Sequence, residues 1–207
     1  MSIVSDHVPL REENLDPDPV RQFAAWFEDA SDGGVAAPEA AAVATASPEG
    51  APSVRMVLVK EYGERGFVFY TGYESRKGRE LAANPRAALL FYWAPLGRQV
   101  RIEGPVERTS AEETAAYVRT RPGASQLSAL ASPQSQRIES RDALERRVAE
   151  FAAAHEGADP PLPEAWGGFR LAPASFEFWQ NRRDRLHDRL RYTRRCDGGW
   201  TVERLAP

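Results

Sequence analysis

The chain has 207 residues, with 27 Lys and Arg against 30 Asp and Glu, so its formal net charge is −3. The single cysteine, Cys196, excludes an internal disulfide and a cysteine-rich metal site. No apolar run approaches the roughly 18 residues that a membrane-spanning helix needs, and the N-terminus lacks a secretion-signal pattern. The mildly acidic balance disfavours broad nucleic-acid binding. We therefore predict a cytoplasmic protein with neither a membrane nor a nucleic acid as partner.

The first 17 residues are polar, acidic and without periodicity, which predicts a mobile tail in front of a single domain over residues 18–207. This domain begins with a helix, because Asp18 suits the N-cap, Pro19 suits the first helical position and Gly33-Gly34 ends the pattern. Apolar residues spaced by three and four positions give the helix one buried face. Three further helices are predicted, over residues 75–83, 110–121 and 141–155. The second opens with a capping box at Ser110 and ends before Pro122-Gly123. The third carries one apolar stripe, and a proline-rich connection follows it at residues 159–163.

Short runs of β-branched or aromatic residues, separated at close intervals by turn residues, predict strands in the rest of the chain. The predicted strands cover residues 41–47, 53–62, 66–71, 87–93, 99–106, 169–172, 176–180, 189–195 and 200–205. The last two flank Cys196-Asp197-Gly198-Gly199, a sequence typical of a β-hairpin turn. These patterns predict an α+β protein that is mainly antiparallel β, built as a barrel or a sandwich with surrounding helices.

Arginine and lysine are used very unevenly, because 25 of the 27 basic residues are arginine and only Lys60 and Lys77 are lysine. The base composition of the source genome explains such a bias at most positions. Lysine is then retained mainly where a compact, strongly hydrated ammonium serves better than a planar guanidinium.

The strand predicted at residues 53–62 holds two cations, Arg55 and Lys60, in an otherwise apolar run. Side chains alternate between the two faces of a strand, so these cations point to opposite sides, roughly 17 Å apart at about 3.3 Å per residue. We expect them to serve different anionic groups. Two solvated strand ends are the alternative interpretation.

Two further clusters have the composition of phosphate sites. Ser75-Arg76-Lys77-Gly78 opens a helix, where free backbone N–H groups and the helix dipole favour an anion. Tyr117 and Arg121 lie four residues apart on one face of another helix, and Ser125 follows its end. The alternatives are an ordinary helix cap for the first cluster and an arginine that satisfies helix-end carbonyls for the second.

Residues 182–195 form the densest charge cluster, with seven arginines and two aspartates. Within it lies Arg185-Leu186-His187-Asp188-Arg189, where the arginines favour the neutral form of the histidine. We expect His187 to accept a hydrogen bond or a proton at neutral pH. A solvated basic hairpin is the alternative, and a nucleic-acid patch is a weaker one. Glycine-rich nucleotide loops and the common metal and esterase motifs are absent, so no metal site is predicted.

Nine stretches in order carry a resemblance to a known family: RMVLVK (55–60), FYTGYESRKGRELAANPRA (69–87), RQVRIEG (98–104), RP..SQ (121–126), QS (134–135), WGGFR (166–170), FEFWQ (176–180), RLHDR (185–189) and ERLAP (203–207). Through them the sequence closely resembles pyridoxamine 5′-phosphate oxidases, over nearly the whole chain. The resemblance implies an FMN-binding split β-barrel of Greek-key type, and a homodimer with FMN bound across its interface.

The resemblance also implies the site residues. The flavin would be lined by Arg55, Met56, Val57, Leu58, Lys60, Tyr70, Thr71, Arg76, Lys77, Gln99, Gln134, Ser135, Trp179 and Arg189. The substrate phosphate would be bound by Lys60, Tyr117, Arg121 and Ser125. Arg185 and His187 are the implied catalytic residues, which would hold the pyridine ring of the substrate against the flavin.

The implied reaction oxidises the C4′ carbon of pyridoxamine 5′-phosphate or pyridoxine 5′-phosphate to give pyridoxal 5′-phosphate. A hydride equivalent passes to flavin N5, dioxygen reoxidises the flavin and hydrogen peroxide leaves. Two alternatives remain: an oxidase of the related branch that acts on tricyclic phenazine intermediates, and a flavin- or pyridoxal-phosphate-binding protein without catalysis.

The sequence departs from the family pattern at three places. The tail lacks a clear counterpart of the tyrosine with which many members cover the active site, which puts a lid role in doubt. Leu130 stands where a tryptophan is frequent, and Asn181-Arg182 replaces a common glycine-containing pair. We expect these changes to affect substrate fit rather than the flavin site.

Overall fold

The computed structural model describes residues 8–155 and 164–207, without the side chain of Leu130. Within these ranges the chain forms five α-helices: α1 Pro19–Asp32, α2 Arg76–Ala83, α3 Ala111–Thr120, α4 Gly123–Ala131 and α5 Arg141–Ala154. It also forms nine β-strands: β1 Ala40–Ala46, β2 Pro52–Gly63, β3 Gly66–Gly72, β4 Arg86–Trp93, β5 Arg98–Arg108, β6 Trp166–Leu171, β7 Ser175–Gln180, β8 Asp188–Arg194 and β9 Trp200–Arg204. None of these helices is long and apolar enough to cross a membrane.

Strands β1 to β6 close into a barrel, in the order β4-β1-β2-β3-β6-β5 with β5 pairing back onto β4. The last three strands continue the sheet outward from β5 in the order β7-β8-β9. Every one of these pairings is antiparallel. The predicted fold class, a mainly antiparallel α+β barrel with surrounding helices, is therefore confirmed.

Aromatic side chains fill the barrel and attach α1 to it. Phe23 of α1 is fully buried, and its ring centroid lies 4.9 Å from those of Phe67 and Phe91. Trp93 is 1 % exposed and donates its indole N–H to the carbonyl oxygen of Pro38 at 3.0 Å. Close packing of this kind favours ligand sites on the rim and the outer surface of the barrel.

Every helix and strand predicted from the sequence is present, whereas helix α4 was not predicted. Pro122-Gly123 marked the end of α3, but it also starts a new helix, because the carbonyl oxygen of Pro122 accepts the backbone N–H groups of Ser125 and Gln126. The apolar stripe predicted on α5 is only half-buried. The predicted proline-rich connection at residues 159–163 lies outside the described residues.

Part of the predicted mobile tail lies against strands β8 and β9. Leu10 is 8 % exposed, its backbone N–H donates to the Asp188 carboxylate at 3.1 Å, and its carbonyl oxygen accepts from Arg204 at 2.9 Å. The short 3-10 helix Glu12–Asn14 follows, and Arg204 also binds the Glu12 carboxylate at 2.8 Å. One apolar anchor with ion pairs produces no periodicity, so these contacts could not be predicted from a sequence pattern. Residues 1–7 lie outside the described ranges, and the division at residue 17 stays a prediction.

Candidate active site

Arg76 and Lys77 at the start of α2, together with Arg55 of β2, form a cationic site that we call the cradle. Ser75 caps the helix by accepting the backbone N–H of Gly78 at 3.2 Å. Lys77 is 5 % exposed, and its ammonium donates to the hydroxyls of Thr71 at 2.9 Å and Ser75 at 3.4 Å. Desolvation, with a smaller contribution from the charge of Arg55, lowers the pKa of Lys77 from 10.5 to about 8. A buried ammonium whose partners within the described ranges are two hydroxyls is a place for an anion.

Glycine is required at position 78 because the helix lies so close to the preceding turn. A Cβ atom on Gly78 would stand 2.1 Å from the carbonyl oxygen of Tyr73. The missing side chain allows the N-terminus of α2, with its free N–H groups, to lie directly after β3.

A buried carboxylate, Glu80 of α2, joins the cradle to strands β1 and β2. Its oxygens accept from the hydroxyls of Ser53 at 2.5 Å and of Thr45, and from Arg76 Nε at 2.8 Å. Arg55 Nη2 lies 3.4 Å from the same carboxylate. Burial alone would raise the pKa of Glu80, but these hydrogen bonds outweigh it and lower the pKa to about 2. Glu80 is therefore ionised at neutral pH and holds two of the implied flavin residues.

Strand β2 places Arg55 and Lys60 on opposite faces, as its alternation predicts. Arg55 is half-buried with the cradle, whereas Lys60 is on the exposed face, with its ammonium 3.4 Å from the Glu39 carboxylate. The exposed face also carries Met56, which is 64 % exposed, and Leu58, which is 46 % exposed. The two cations therefore have different surroundings.

A cavity of about 690 Å³, which we call cavity A, opens beside the cradle. Its lining includes Thr71, Ser75, Arg121, Ser125, Gln134 and Trp166. The side-chain carbonyl of Gln134 accepts from the Thr71 hydroxyl at 2.8 Å and from the backbone N–H of Gly72 at 3.0 Å. Cavity A thus brings implied flavin residues and implied substrate-phosphate residues together.

An aromatic stack lies along cavity A. The ring centroids of Tyr70 and Tyr117 are 3.8 Å apart with the planes 12° from parallel, and Trp166 continues the stack. The guanidinium of Arg121 lies over Trp166, 4.9 Å from its ring centroid. Arg121 Nη1 is buried and has no hydrogen-bond partner within the described part of the chain. Leaving a buried donor unpaired is unfavourable, so this atom points to a ligand that accepts its N–H.

A second cavity of about 300 Å³, cavity B, lies on the outer face of β5, β7 and β8, and its lining includes Gln99, Arg101, Glu177, Trp179 and Arg189. Glu177 is 7 % exposed and accepts from Arg101 Nη2 at 2.6 Å and from Arg189 Nε at 2.7 Å. The hydrogen bond from Arg189 to this carboxylate raises the pKa of Arg189. Cavity B is therefore lined by a fixed guanidinium, an indole and an amide.

The loop between β7 and β8 carries Arg185 and His187, and His187 contacts Trp179 of cavity B. The His187 ring lies 4.6 Å from the Trp179 ring, and its Nδ1 accepts the backbone N–H of Arg182 at 3.1 Å. In a neutral ring the proton then sits on Nε2, which can only donate. His187 thus accepts a hydrogen bond, as predicted, although the donor is the backbone N–H of Arg182 within the protein. Its role toward a ligand stays a prediction.

Left-handed backbone conformations cluster at the implied site. Within the described ranges, the non-glycine residues with positive φ are Ser135 at 68°, Asp184 at 57° and Arg185 at 60°. Such conformations cost on the order of 1–3 kcal/mol each and persist where the surrounding structure fixes them, often at functional sites. Two of the three are implied site residues, and the third is adjacent to one.

An exposed apolar face occupies the outside of β2, β1 and β4. Strand pairing places this face next to cavity B. Met56 lies opposite Ala42, which lies opposite Leu90, and Leu90 lies opposite Arg101 of cavity B. Cavities A and B share no lining residue. Within one chain the implied substrate-phosphate residues Arg121 and Ser125 therefore belong to a different cavity from that of Trp179, which His187 contacts.

Sequence reasoning missed the two buried glutamates, Glu80 and Glu177. Signals for both were present. Glu80 stands four residues after Arg76 on one helix face, and Glu177 is the only charged residue in the apolar strand β7. Their partners on other strands become visible only when the sheet register is known.

Two family models match the chain. Residues 27–155 match the model described as pyridoxamine 5′-phosphate oxidase. Residues 166–207 match the model described as the pyridoxine 5′-phosphate oxidase C-terminal dimerisation region. Together these matches cover most of the chain.

Curated relatives and solved structures agree with this assignment. The pyridoxine/pyridoxamine 5′-phosphate oxidase of Rubrobacter xylanophilus is 56 % identical over 198 residues, 96 % of this chain and 91 % of that protein. Its counterpart from Paraburkholderia phymatum is 55 % identical over 194 residues, 94 % of this chain and 91 % of that protein. PhzG from Burkholderia lata, solved with tetrahydrophenazine-1-carboxylic acid, is 33 % identical with a TM-score of 0.91, over 98 % of this chain and 100 % of that one.

A more distant neighbour supports the fold alone. The pyridoxamine 5′-phosphate oxidase-related, FMN-binding protein from Nostoc punctiforme is 20 % identical with a TM-score of 0.72, over 93 % of this chain and 100 % of that one. The predicted split-barrel fold is confirmed by these neighbours. From the family models and the curated relatives, the chain belongs to the pyridoxine/pyridoxamine 5′-phosphate oxidase family, a family of oxidoreductases.

Proposed function

We propose that this protein is an FMN-dependent oxidase that converts pyridoxamine 5′-phosphate or pyridoxine 5′-phosphate to pyridoxal 5′-phosphate. Dioxygen is the acceptor and hydrogen peroxide a product. The observation that carries the proposal is the buried Nη1 of Arg121 beside cavity A, which has no partner among residues 8–155 and 164–207. Ser125 lines the same cavity, and a guanidinium with a hydroxyl suits a phosphate group. Relatives more than half identical carry this oxidase name.

The cradle fits the phosphate group of FMN. The ammonium of Lys77 has no carboxylate partner within the described residues, so a phosphate would supply the missing counter-charge. Arg76 binds Glu80 through Nε alone, which leaves both of its Nη groups for a ligand. The helix N-terminus adds backbone N–H groups. Trp179 and Gln99 in cavity B would contact the flavin ring.

The two cavities support a homodimer with FMN across its interface. The implied flavin residues divide between them, with Thr71 and Gln134 in cavity A and Gln99, Trp179 and Arg189 in cavity B. The exposed apolar face beside cavity B would be buried by a second copy. The match of residues 166–207 to a dimerisation region supports the same assembly. Cavity A of one protomer would then meet cavity B of its partner.

In the proposed mechanism the chain binds and orients, because FMN, when bound, supplies the redox chemistry by accepting a hydride equivalent and reducing dioxygen. Arg121, Ser125 and Tyr117, with Lys60, would hold the substrate phosphate. His187 would donate its Nε2–H to the substrate, and Arg185 would orient the reacting carbon. Fixing the substrate in this way lowers the barrier by removing translational and rotational freedom before the reaction.

The stoichiometry of the reaction differs between the two substrates. The alcohol and dioxygen give the aldehyde and hydrogen peroxide. The amine needs one water as well and releases ammonia, because the oxidised carbon–nitrogen bond is hydrolysed. No other oxidant or reductant is required.

A second candidate function is an oxidase of unphosphorylated tricyclic substrates, which the likeness to PhzG favours. The retained phosphate-type residues Arg121 and Ser125 argue against it. A non-catalytic flavin-binding protein is disfavoured by the presence of both Arg185 and His187.

The test compares oxygen uptake and pyridoxal 5′-phosphate formation with phosphorylated substrates, and oxygen uptake with unphosphorylated pyridoxamine. Arg121→Ala should raise the KM for the phosphorylated substrate by about tenfold or more, since one charge-assisted hydrogen bond is lost. Arg119→Ala, an exposed arginine on the same helix, is the matched control and should leave KM unchanged. Equal turnover of phosphorylated and unphosphorylated substrates would contradict the proposal.

A further inference from the structure

Glu80 is not among the implied site residues, yet its carboxylate accepts several hydrogen bonds within the cradle. It binds Arg76 Nε at 2.8 Å and the Ser53 hydroxyl at 2.5 Å, and it also accepts from Thr45. Its side chain is 9 % exposed. Three separate elements, β1, β2 and α2, therefore meet at this one carboxylate.

The contacts of Glu80 fix Arg55 without involving a ligand. Arg55 Nη1 donates to the Thr45 hydroxyl at 2.6 Å and to the carbonyl oxygen of Val43 at 3.3 Å. Arg55 Nη2 donates to Ser53 and reaches Glu80 at 3.4 Å. Because two hydroxyls and the carboxylate hold the guanidinium, it remains in place when no anion is present.

Glu80 holds Arg76 by a different edge. Arg76 uses Nε for the carboxylate, so its Nη1 and Nη2 have no partner within the described residues. The side chain of Arg76 is 59 % exposed, which leaves this open edge accessible to a ligand. A phosphate is bound well by two parallel N–H donors of a guanidinium. The Glu80 carboxylate therefore binds Nε of Arg76 and leaves the two Nη groups, which would bind a phosphate.

The charges of the cradle also depend on Glu80. Arg55, Arg76 and Lys77 contribute three positive charges and Glu80 one negative charge, so the sum is 3 − 1 = +2. A phosphate monoester carries about −1.5 to −2 at neutral pH. Without Glu80, three cations would face one another in a partly desolvated site.

We propose that Glu80 is a positioning residue of the cradle. It fixes Arg55 and Arg76 for the phosphate group of a phosphorylated flavin, and it balances the cradle charge against that of a phosphate dianion. The ligand's identity rests on the proposed function, whereas the role of Glu80 rests on the contacts above.

The experiment compares FMN with riboflavin, which has the same ring and ribityl chain but no phosphate. Glu80→Gln keeps the shape of the side chain and removes its charge. We expect the affinity for FMN to fall by about tenfold or more, while the affinity for riboflavin stays unchanged. A role confined to protein stability would weaken both flavins alike.

Glu177→Gln is the matched control, because Glu177 is also a buried glutamate that binds two arginines, but in cavity B. It should change the affinities for FMN and riboflavin by the same factor, so that their ratio is unchanged. An FMN-to-riboflavin affinity ratio that Glu80→Gln leaves unchanged or raises would overturn the proposal. If Glu80→Gln does not fold, Glu80→Asp is the substitute: its shorter side chain keeps the charge but places it farther from Arg76. This variant should also lower the FMN-to-riboflavin affinity ratio.

A second measurement separates this inference from the proposed function. Inorganic phosphate should raise the Tm of the flavin-free wild-type protein, and this increase should be lost in Glu80→Gln. If the wild-type protein binds no FMN, the proposed function fails, and the phosphate experiment still decides the role of Glu80. An equal phosphate-induced increase in both proteins would overturn it.

Discussion

The cradle and cavity B contain the same arrangement of charges in different surroundings. In each, a buried glutamate binds two arginines: Glu80 with Arg55 and Arg76, and Glu177 with Arg101 and Arg189. The cradle is enclosed by the start of α2 and by barrel strands, whereas cavity B lies on an outer sheet face beside exposed apolar side chains. Under the proposed function, one chain would complete the anion site, whereas a second copy would cover cavity B.

Replacing the buried ammonium should have the largest effect and should affect the cradle alone. Lys77→Met keeps the length of the side chain and removes its charge. We expect FMN affinity to fall by about 100-fold or more, because a desolvated charge–phosphate contact is lost. Riboflavin affinity should not change. Titration of flavin fluorescence measures both, and undiminished FMN binding by the variant would refute the assignment of the cradle.

Variants of the loop between β7 and β8, which contacts Trp179 of cavity B, should slow turnover without releasing FMN. This is the opposite of the pattern expected for the cradle. Arg185→Ala and His187→Ala should each reduce kcat by more than about tenfold, or roughly 1.4 kcal/mol. Arg195→Ala, an exposed arginine of the neighbouring hairpin, serves as control. Steady-state kinetics with a parallel FMN titration separates the two effects. If neither variant slows turnover this much, the two residues are not catalytic.

The lowered pKa of Lys77 makes FMN affinity depend on pH. Folding depresses this pKa from 10.5 to about 8, so the unloaded protein loses the proton as pH rises through 8. A bound phosphate favours the charged form, and affinity should therefore be highest below pH 8 and fall by up to about tenfold per unit above it. The same linkage makes the unloaded protein gain stability between pH 8 and 10.5. Lys77→Met should abolish the pH dependence of FMN binding in this range.

Lys60 should give the smallest effect, because it lies on the exposed face of β2 beside Glu39. Lys60→Arg keeps the charge but replaces a point charge by a planar fork. We expect the KM for the phosphorylated substrate to rise by a few-fold and FMN affinity to change less than this, since the phosphate cradle lies on the other face. A KM that does not change in this variant would remove Lys60 from the substrate-phosphate set.

Local patterns were sufficient to predict most of the fold. The cap at Asp18, the capping box at Ser110 and the turn residues between strands act within a few residues, and the structure has the elements they predict. Helix α4 was not predicted, because Pro122-Gly123 can end one helix and also start another. The side of a strand on which Arg55 or Lys60 lies also follows from local alternation.

Contacts between distant segments could not be predicted from the sequence. Glu177 meets Arg101 only because β5 and β7 pair in this register, and Leu10 meets Asp188 across 178 positions of the chain. The proton position on His187 depends on the backbone N–H of Arg182 and therefore on the path of a loop. Such details decide what a site residue can donate or accept, although the residue type can be recognised beforehand.

The absorption spectrum of the purified, flavin-loaded protein, recorded before and after anaerobic addition of pyridoxamine 5′-phosphate, tests the proposed oxidase activity directly. We predict a yellow protein whose flavin absorption bleaches on addition and returns with air, with pyridoxal 5′-phosphate formed. A flavin-loaded protein whose spectrum does not change and that forms no pyridoxal 5′-phosphate would contradict it.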